Sequence, residues 1–60
     1  MLYVVLVTTK NSAQAERISK QLVEEKLAAC VNVLPKISST YRWKDKVEHA
    51  NEALMLVKTS

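Results

Sequence analysis

Sixty residues, 48% of them hydrophobic and 25% charged, have the composition of one small globular domain rather than of a disordered segment. A single cysteine and a single histidine exclude a disulfide framework and a zinc-finger type of metal site. A chain of this length buries only about 60% of its unfolded surface, so we expect its stability to depend on association of copies or on further chain.

The net charge of +3 is mild, although four of the nine basic residues lie between Lys36 and Lys46. Such a cluster could bind nucleic acid. Lysines that protect the exposed edge of a hairpin are the simpler interpretation, and we expect no nucleic-acid partner. The lone thiol fits a reducing compartment, from which we expect a cytoplasmic protein.

The first predicted element is a strand over Leu2 to Val7, a nearly unbroken aliphatic run. Such a run is typical of a strand buried on both faces. It is too short to span a bilayer and has no basic region before it, so we expect no membrane partner.

A helix should follow, because Asn11 and the serine after it are good N-caps and Gln14 completes a weak capping-box pattern. Glu16 and Lys20 are spaced for an i,i+4 ion pair, and the helix should end near Lys26. The chain contains no glycine, so another residue must adopt the terminating conformation. The apolar stripe of this helix consists of Ala15, Ile18, Leu22 and Val23.

Two further strands are predicted, joined by a turn at Lys44-Asp45-Lys46. The outgoing arm runs from Leu27 to Leu34 and resumes over Ile37 to Trp43. Pro35 interrupts it and indicates an edge strand or a bend. The return arm, Val47 to Thr59, is apolar on both faces in its second half, which is typical of a central strand.

The predicted order β-α-β-β is the first half of the split β-α-β, or ferredoxin-like, arrangement. We expect an α+β fold with the first strand parallel to the return arm and the return arm in the centre of the sheet. Residues 1–60 would form a single domain that lacks the second α-β unit at its C-terminal end.

Three motifs then resemble one known family. They are Leu27-Ala28-Ala29-Cys30-Val31-Asn32, then Tyr41-x-Trp43-x-Asp45-Lys46-Val47, then Glu52 followed six and seven residues later by Lys58-Thr59. In this order and spacing they resemble the CutA family, small proteins linked by name to divalent-cation tolerance. The helix ending in Leu22-Val23-Glu24-Glu25-Lys26-Leu27 is also similar to theirs.

The resemblance implies a ferredoxin-like protomer in a homotrimer, with the long hairpin pairing between subunits. It also implies binding of Cu(II) or another divalent metal near the subunit boundaries. Family members continue into a second helix, a His-Pro-Tyr segment and a further strand, which have no counterpart here. A cysteine that some members carry in the first strand falls on Val7, so Glu52 is the one suggested metal-site residue in register.

Glu52 is therefore the first candidate metal ligand, with a solvated or ion-paired acid as the alternative. Cys30 offers a soft thiolate that suits copper, although a cysteine among alanines is more often a small core residue. His49 lies three residues before Glu52, an offset that puts the two on opposite faces of a strand. A surface histidine is the simpler interpretation.

Tyr41 and Trp43 project from the same face of an extended chain. They could stack on bases or on a ligand, but we expect them at a subunit interface, where Tyr and Trp are enriched. No Ser-His-Asp, Cys-His or paired-carboxylate pattern is present, so we expect no enzyme. Two functions are favoured: a trimeric metal-binding protein, or a trimeric structural, signalling or anchoring module similar in architecture to PII proteins, without a native metal role. A third hypothesis is a small ferredoxin-like protein that binds nucleic acid.

Overall fold

The computed structural model describes every residue from Met1 to Ser60, in the order β1, α1, β2, β3. The bounds are Tyr3–Thr9 for β1, Ser12–Glu24 for α1, Cys30–Trp43 for β2 and Lys46–Thr59 for β3. The three strands form one sheet in the order β1-β3-β2. The predicted α+β class and the central place of the return arm are confirmed.

The predicted parallel pairing of β1 with the return arm is wrong, because β1 and β3 are antiparallel. In a strand, helix, strand path the crossover makes β1 and β2 parallel to each other. The hairpin then brings β3 back in the opposite direction between them, and β2 also pairs with it antiparallel. The gap between the two parallel strands is what defines the split β-α-β arrangement.

Asn11 caps the start of α1 as predicted. Its backbone is extended, and its side-chain Oδ1 accepts a hydrogen bond from the backbone N–H of Gln14 at 2.8 Å. The Gln14 side chain reaches back one residue further than in a capping box and accepts from the backbone N–H of Lys10 at 2.9 Å. Two N–H groups at the helix start are therefore satisfied by side chains.

Lys26 supplies the terminating conformation that the absence of glycine required. Its φ of 59° is left-handed. The N–H of Lys26 donates to the carbonyl of Val23, and the N–H of Leu27 donates to that of Leu22. These two bonds form a Schellman motif, so the helix ends where the sequence predicted.

The apolar stripe of α1 is confirmed except at its end. Ala15 is buried, and Ile18 and Leu22 pack against the core, whereas Val23 is 42% exposed. Ser19, which the stripe omitted, is also buried because its hydroxyl donates to the carbonyl of Ala15 at 2.7 Å. This bond satisfies the only polar group of the side chain.

The ion pair of α1 differs from the prediction. Lys20 pairs with Glu24 at 3.8 Å and not with Glu16. Glu16 and Glu24 both lie one turn from Lys20, and the single ammonium group of Lys20 forms an ion pair with one of them. Both partners are largely exposed, so the pair contributes at most a few tenths of a kcal/mol. With 13 residues, α1 is neither long nor apolar enough to cross a membrane.

The outgoing arm begins later than predicted and is continuous through Pro35. Residues 27–29 connect α1 to β2, and the strand starts at Cys30. Its register against β3 shifts by one residue between Leu34 and Ile37. Pro35 and Lys36 thus lie opposite one residue of β3, which is a β-bulge in an edge strand and satisfies both predicted alternatives for Pro35.

The core is small and lies between α1 and one face of the sheet. Its five buried apolar residues are Ala15, Ala28, Ala53, Met55 and Val57. The expectation that β1 is buried on both faces is wrong for this chain, since its residues Tyr3 to Val7 are 38–64% exposed. The reason is that α1 packs mainly over β2 and β3, and no element covers the other face of the sheet.

Candidate functional site

The face of the sheet that points away from α1, here named the open face, is covered by no element of the chain and carries a set of large apolar residues. On β3, Ala53, Met55 and Val57 point into the core, so the even-numbered residues of this strand point to the open face. Residues directly opposite each other in an antiparallel pair share a face. The register therefore assigns these large apolar residues to the open face: Val4, Leu6, Leu34, Ile37, Tyr41, Trp43, Leu54 and Leu56.

The β-bulge brings Tyr41 and Trp43 to this face. Before the bulge, odd-numbered residues of β2 such as Val33 point toward the helix. After the bulge, Tyr41 lies opposite Glu48 and Trp43 opposite Lys46, and these are residues of the open face. Tyr41 is 48% and Trp43 60% exposed, so both rings are accessible to a partner, as the interface prediction requires.

The tip of the hairpin is basic and tightly turned. Lys44 and Asp45 both have positive φ, 49° and 64°, as the two central residues of a type I′ turn do. The ammonium group of Lys44 lies 5.9 Å from the centroid of the Trp43 ring. At this distance it makes a cation–π contact on an exposed surface.

Cys30 lies at the opposite end of the open face, at the start of β2. It is exposed, lies directly opposite Lys58, and its thiol donates to Oδ1 of Asn32 at 3.9 Å. The alternative that this cysteine is a core residue is therefore wrong. Its sulfur is accessible to a ligand from outside the chain.

Glu52 is half-buried and lies opposite Ile37 on the open face. Six positions of β3 separate it from Lys58, the partner of Cys30, which corresponds to about 20 Å along a strand. The two candidate metal ligands therefore share a face but do not meet. No group of three or more His, Cys, Asp or Glu side chains in the structure could hold a metal ion.

His49 points to the other face of β3, as its offset from Glu52 predicted. Its Nδ1 lies 3.2 Å from the hydroxyl of Thr40, its cross-strand partner. The bulge that could have brought His49 and Glu52 together is on β2 and leaves the alternation of β3 intact. His49 and Glu52 thus do not chelate one ion within the chain.

A polar cleft of about 190 Å³, which the sequence did not predict, lies between the start of α1 and the β-bulge. Its lining residues come from three separate parts of the chain and are Lys10, Asn11, Ser12, Pro35, Lys36, Asn51 and Glu52. In the sequence, the interruption of the strand at Pro35 was the one indication of this cleft. The position of Pro35 opposite the start of α1 depends on the tertiary fold. Glu52 is the only acid of this cleft and lies beside Lys10 and Lys36, so within a single chain the cleft is a poor site for a cation.

Chemically, the open face can bury apolar surface against another protein. Both outer edges of the sheet, on β1 and on β2, also carry unpaired backbone groups, since each of these strands has one neighbour. Such edges can pair with strands of another chain. The arrangement can therefore serve as a surface for association with another chain.

Comparisons with known proteins agree with this fold. The CutA1 divalent ion tolerance protein family matches residues 3–60. The divalent-cation tolerance protein CutA of Thermus thermophilus is 51% identical over 57 residues, which are 95% of this chain and 55% of that protein. A CutA homolog of Xenopus laevis is 53% identical over 53 residues, 88% of this chain and 35% of that protein.

Solved structures give the same result. A structure of the Thermus thermophilus divalent cation tolerance protein superposes with a TM-score of 0.90 at 50% identity, covering 100% of this chain and 58% of that one. The periplasmic divalent cation tolerance protein CutA of Archaeoglobus fulgidus gives 0.89 at 46% identity, covering 98% of this chain and 57% of that one.

The chain spans about half the length of the solved relatives it matches. The names of relatives point to more than one compartment, since one is periplasmic and the Arabidopsis thaliana protein is chloroplastic. Because the family match extends over nearly every residue and the superposed structures share both fold and sequence, the chain belongs to the CutA1 divalent ion tolerance protein family.

Proposed function

We propose that this protein is a non-catalytic divalent-cation tolerance protein whose functional unit is a homotrimer assembled through the open face. The observation that carries the proposal is the size of that face compared with the core. Only seven of 60 residues are buried, whereas eight large apolar residues lie on the uncovered side of the sheet. A 60-residue domain with so small a core is marginal alone.

The charges of the open face favour a copy of the chain as its partner. On β3 the face carries Lys46, Glu48, Glu52 and Lys58, and neither β1 nor the open-face residues of β2 add a charge. The face is therefore electrically neutral, with both signs present, while the net charge of +3 lies elsewhere. A neutral apolar face is unsuited to nucleic acid or an anionic membrane, which both attract clustered basic residues.

Three copies, rather than two, are the expectation from the family resemblance. The free edge of β2 supports it, because an unpaired edge lets the hairpin of one copy pair with a strand of another. A ring of such head-to-tail contacts closes with more than two members, whereas a dimer uses one patch twice. The trimer is thus the assembly that uses both the face and the edge.

Metal binding is the second part of the proposal. Cys30 and Glu52 lie too far apart to bind one ion within a chain, so a single copy has no complete site. We propose that Cu(II) or another divalent ion binds between copies, with the Glu52 carboxylate as a ligand and the Cys30 thiolate as a soft ligand that suits copper. The remaining donors would come from neighbouring copies or from water.

Native mass spectrometry with and without Cu(II), followed by isothermal titration, tests both parts. We expect a trimer, and saturable copper binding at micromolar concentrations that Glu52→Gln and Cys30→Ser each weaken. Glu48→Gln is the matched control, since Glu48 is also a half-buried acid on the open face. A monomer, or a dimer, would contradict the assembly, and equal binding by Glu52→Gln and the control would remove Glu52 from the site.

A second function, a PII-like signalling or anchoring module without a native metal role, is favoured by one observation. No group of three metal-ligating side chains exists within the chain. This candidate predicts the same trimer and no saturable copper binding. A cytoplasmic location, proposed from the lone thiol, is tested by fractionation of the source cells.

A further inference from the structure

The two ends of the hairpin are held in different registers. Near the base, Leu34 lies opposite Leu54, and at the tip Trp43 lies opposite Lys46. Between these two pairs β2 has one more residue than β3, and the β-bulge at Pro35 and Lys36 accommodates the extra residue. Pro35 has no N–H to donate, so a bulge here sacrifices little of the backbone ladder.

The same sequence has a second way to close the hairpin. If the base register continued unbroken, Arg42 would lie opposite Lys46 and residues 43–45 would form a three-residue loop. Tyr41 would then lie opposite Val47 and point to the helix side. In its place the open face would receive three polar residues of β2, namely Ser38, Thr40 and Arg42.

The turn distinguishes these two registers. The observed two-residue turn needs positive φ at both Lys44 and Asp45, which is uncommon for residues other than glycine, although Asp and Asn tolerate it. A three-residue hairpin loop instead has a helical conformation at its middle residue, which would be Lys44, and positive φ only at its last. The backbone of residue 44 is therefore the point at which the two registers differ.

We propose that the Lys44–Asp45 turn is the positioning element of the assembly surface, because it determines which face of the sheet Tyr41 occupies. The bulge at Pro35 and Lys36 makes this possible, because it accommodates the one-residue difference between the register at the tip and the register at the base of the hairpin. The consequence for assembly rests on the proposed function, whereas the consequence for register does not.

Two double variants that differ in one residue test this. Lys44→Asn with Asp45→Gly creates an Asn-Gly pair, the strongest two-residue hairpin turn. Lys44→Val with Asp45→Gly places a β-branched residue where φ must be positive, which it resists, but leaves glycine at the last position of a three-residue loop. Both variants remove the same lysine charge and the same aspartate.

Proton contacts across the strands, measured by NMR, report the register directly. In the Asn-Gly variant we expect Tyr41 to keep its contacts to Glu48 and the protein to keep the assembly of the wild type. In the Val-Gly variant we expect loss of the Tyr41–Glu48 contacts, new contacts from Tyr41 to Val47, and at least tenfold weaker assembly.

The effect of the turn on the strand register and its effect on assembly can be tested separately. A Val-Gly variant that keeps the Tyr41–Glu48 contacts, or whose hairpin melts without the new register, overturns the proposal. A wild-type protein that is monomeric contradicts the proposed function, yet the register shift can still be observed in that monomer. A register shift without loss of assembly overturns the role of the turn in positioning the interface.

Discussion

Trp43 offers the most direct test of the open face. Its side chain is 60% exposed in the single chain, and an aromatic side chain buries roughly 150–250 Å² in a core or interface. About 90–150 Å² of the side chain is thus left for a partner, and at about 25 cal/mol per Å² its burial is worth about 2–4 kcal/mol per copy. Trp43→Ala should remove most of this contribution to assembly.

A loss of about 3 kcal/mol corresponds to roughly a hundredfold change in an equilibrium constant. Sedimentation velocity over a dilution series measures it as a shift of the concentration at which the assembly dissociates. Val47→Ala is the matched control, because Val47 is similarly exposed, at 61%, and lies near the tip but on the other face of the hairpin. We expect the control to dissociate at the wild-type concentration.

The reasoning is refuted if Trp43→Ala and Val47→Ala dissociate at the same concentration. Unfolding of the dissociated chain supplies a second check. Since most of the Trp43 ring is exposed in the single chain, its removal should change the stability of the monomer by less than about 1 kcal/mol. A larger loss in urea unfolding would mean that Trp43 stabilises the hairpin itself.

Three predictions concern the parts of the fold that hold the open face in place. Met55→Ala should cost about 2–5 kcal/mol in urea unfolding, because Met55 is fully buried at the centre of the sheet; a loss below 1 kcal/mol would show that the core collapses around the cavity. Asn11→Ala should lower the free energy of unfolding by about 1 kcal/mol through loss of the N-cap hydrogen bond. Asn11→Ser should retain most of the wild-type stability, because serine is also a good N-cap. If Asn11 acted outside the cap, serine would not replace it. Lys26→Gly should stabilise the protein by up to about 1 kcal/mol, since glycine adopts the left-handed conformation of this residue without strain; unchanged or lower thermal stability of this variant would contradict the Schellman assignment.

The sequence predicts the local structure well because its determinants lie within a few residues. The cap at Asn11 follows from the preference of asparagine for that position, and α1 ends near Lys26, where its apolar stripe ends. The predicted turn at Lys44-Asp45-Lys46 is one residue too long, because Lys46 already belongs to β3. The central position of β3 follows from its two apolar faces. For the cap at Asn11 and for the central β3, the structure adds geometry and leaves the assignment unchanged.

The errors concern relations between distant segments. Whether β1 runs parallel or antiparallel to β3 depends on the path of the whole chain, and the composition of β1 does not contain that information. The burial expected for β1 assumed cover on both faces, which this chain does not supply. Lys20 had two acids within one turn, and spacing alone could not select Glu24.

For the candidate site, the sequence could propose residues but not the geometry that relates them. Tyr41, Trp43, Glu52 and Cys30 could be selected by chemistry or by resemblance, but their common face depends on the register of β2 against β3. A one-residue bulge reverses the face of every residue after it. The roughly 20 Å between Cys30 and Glu52, estimated along the strand, likewise becomes visible only once each is paired with its neighbour across the hairpin.

The two faces of the sheet differ in whether an element of the chain covers them, and this difference indicates where another chain could associate. On the helix side, α1 covers Ala53, Met55 and Val57 of β3, although Tyr3, Val5 and Val7 of β1 remain partly exposed there. On the open face the large residues are leucine, isoleucine, valine, tyrosine and tryptophan. Burial of such side chains against a partner gives the largest gain in free energy. Covering the open face would therefore stabilise the molecule substantially, and the two lysines and two glutamates that β3 places there favour a partner that brings charges of both signs, such as a copy of this chain.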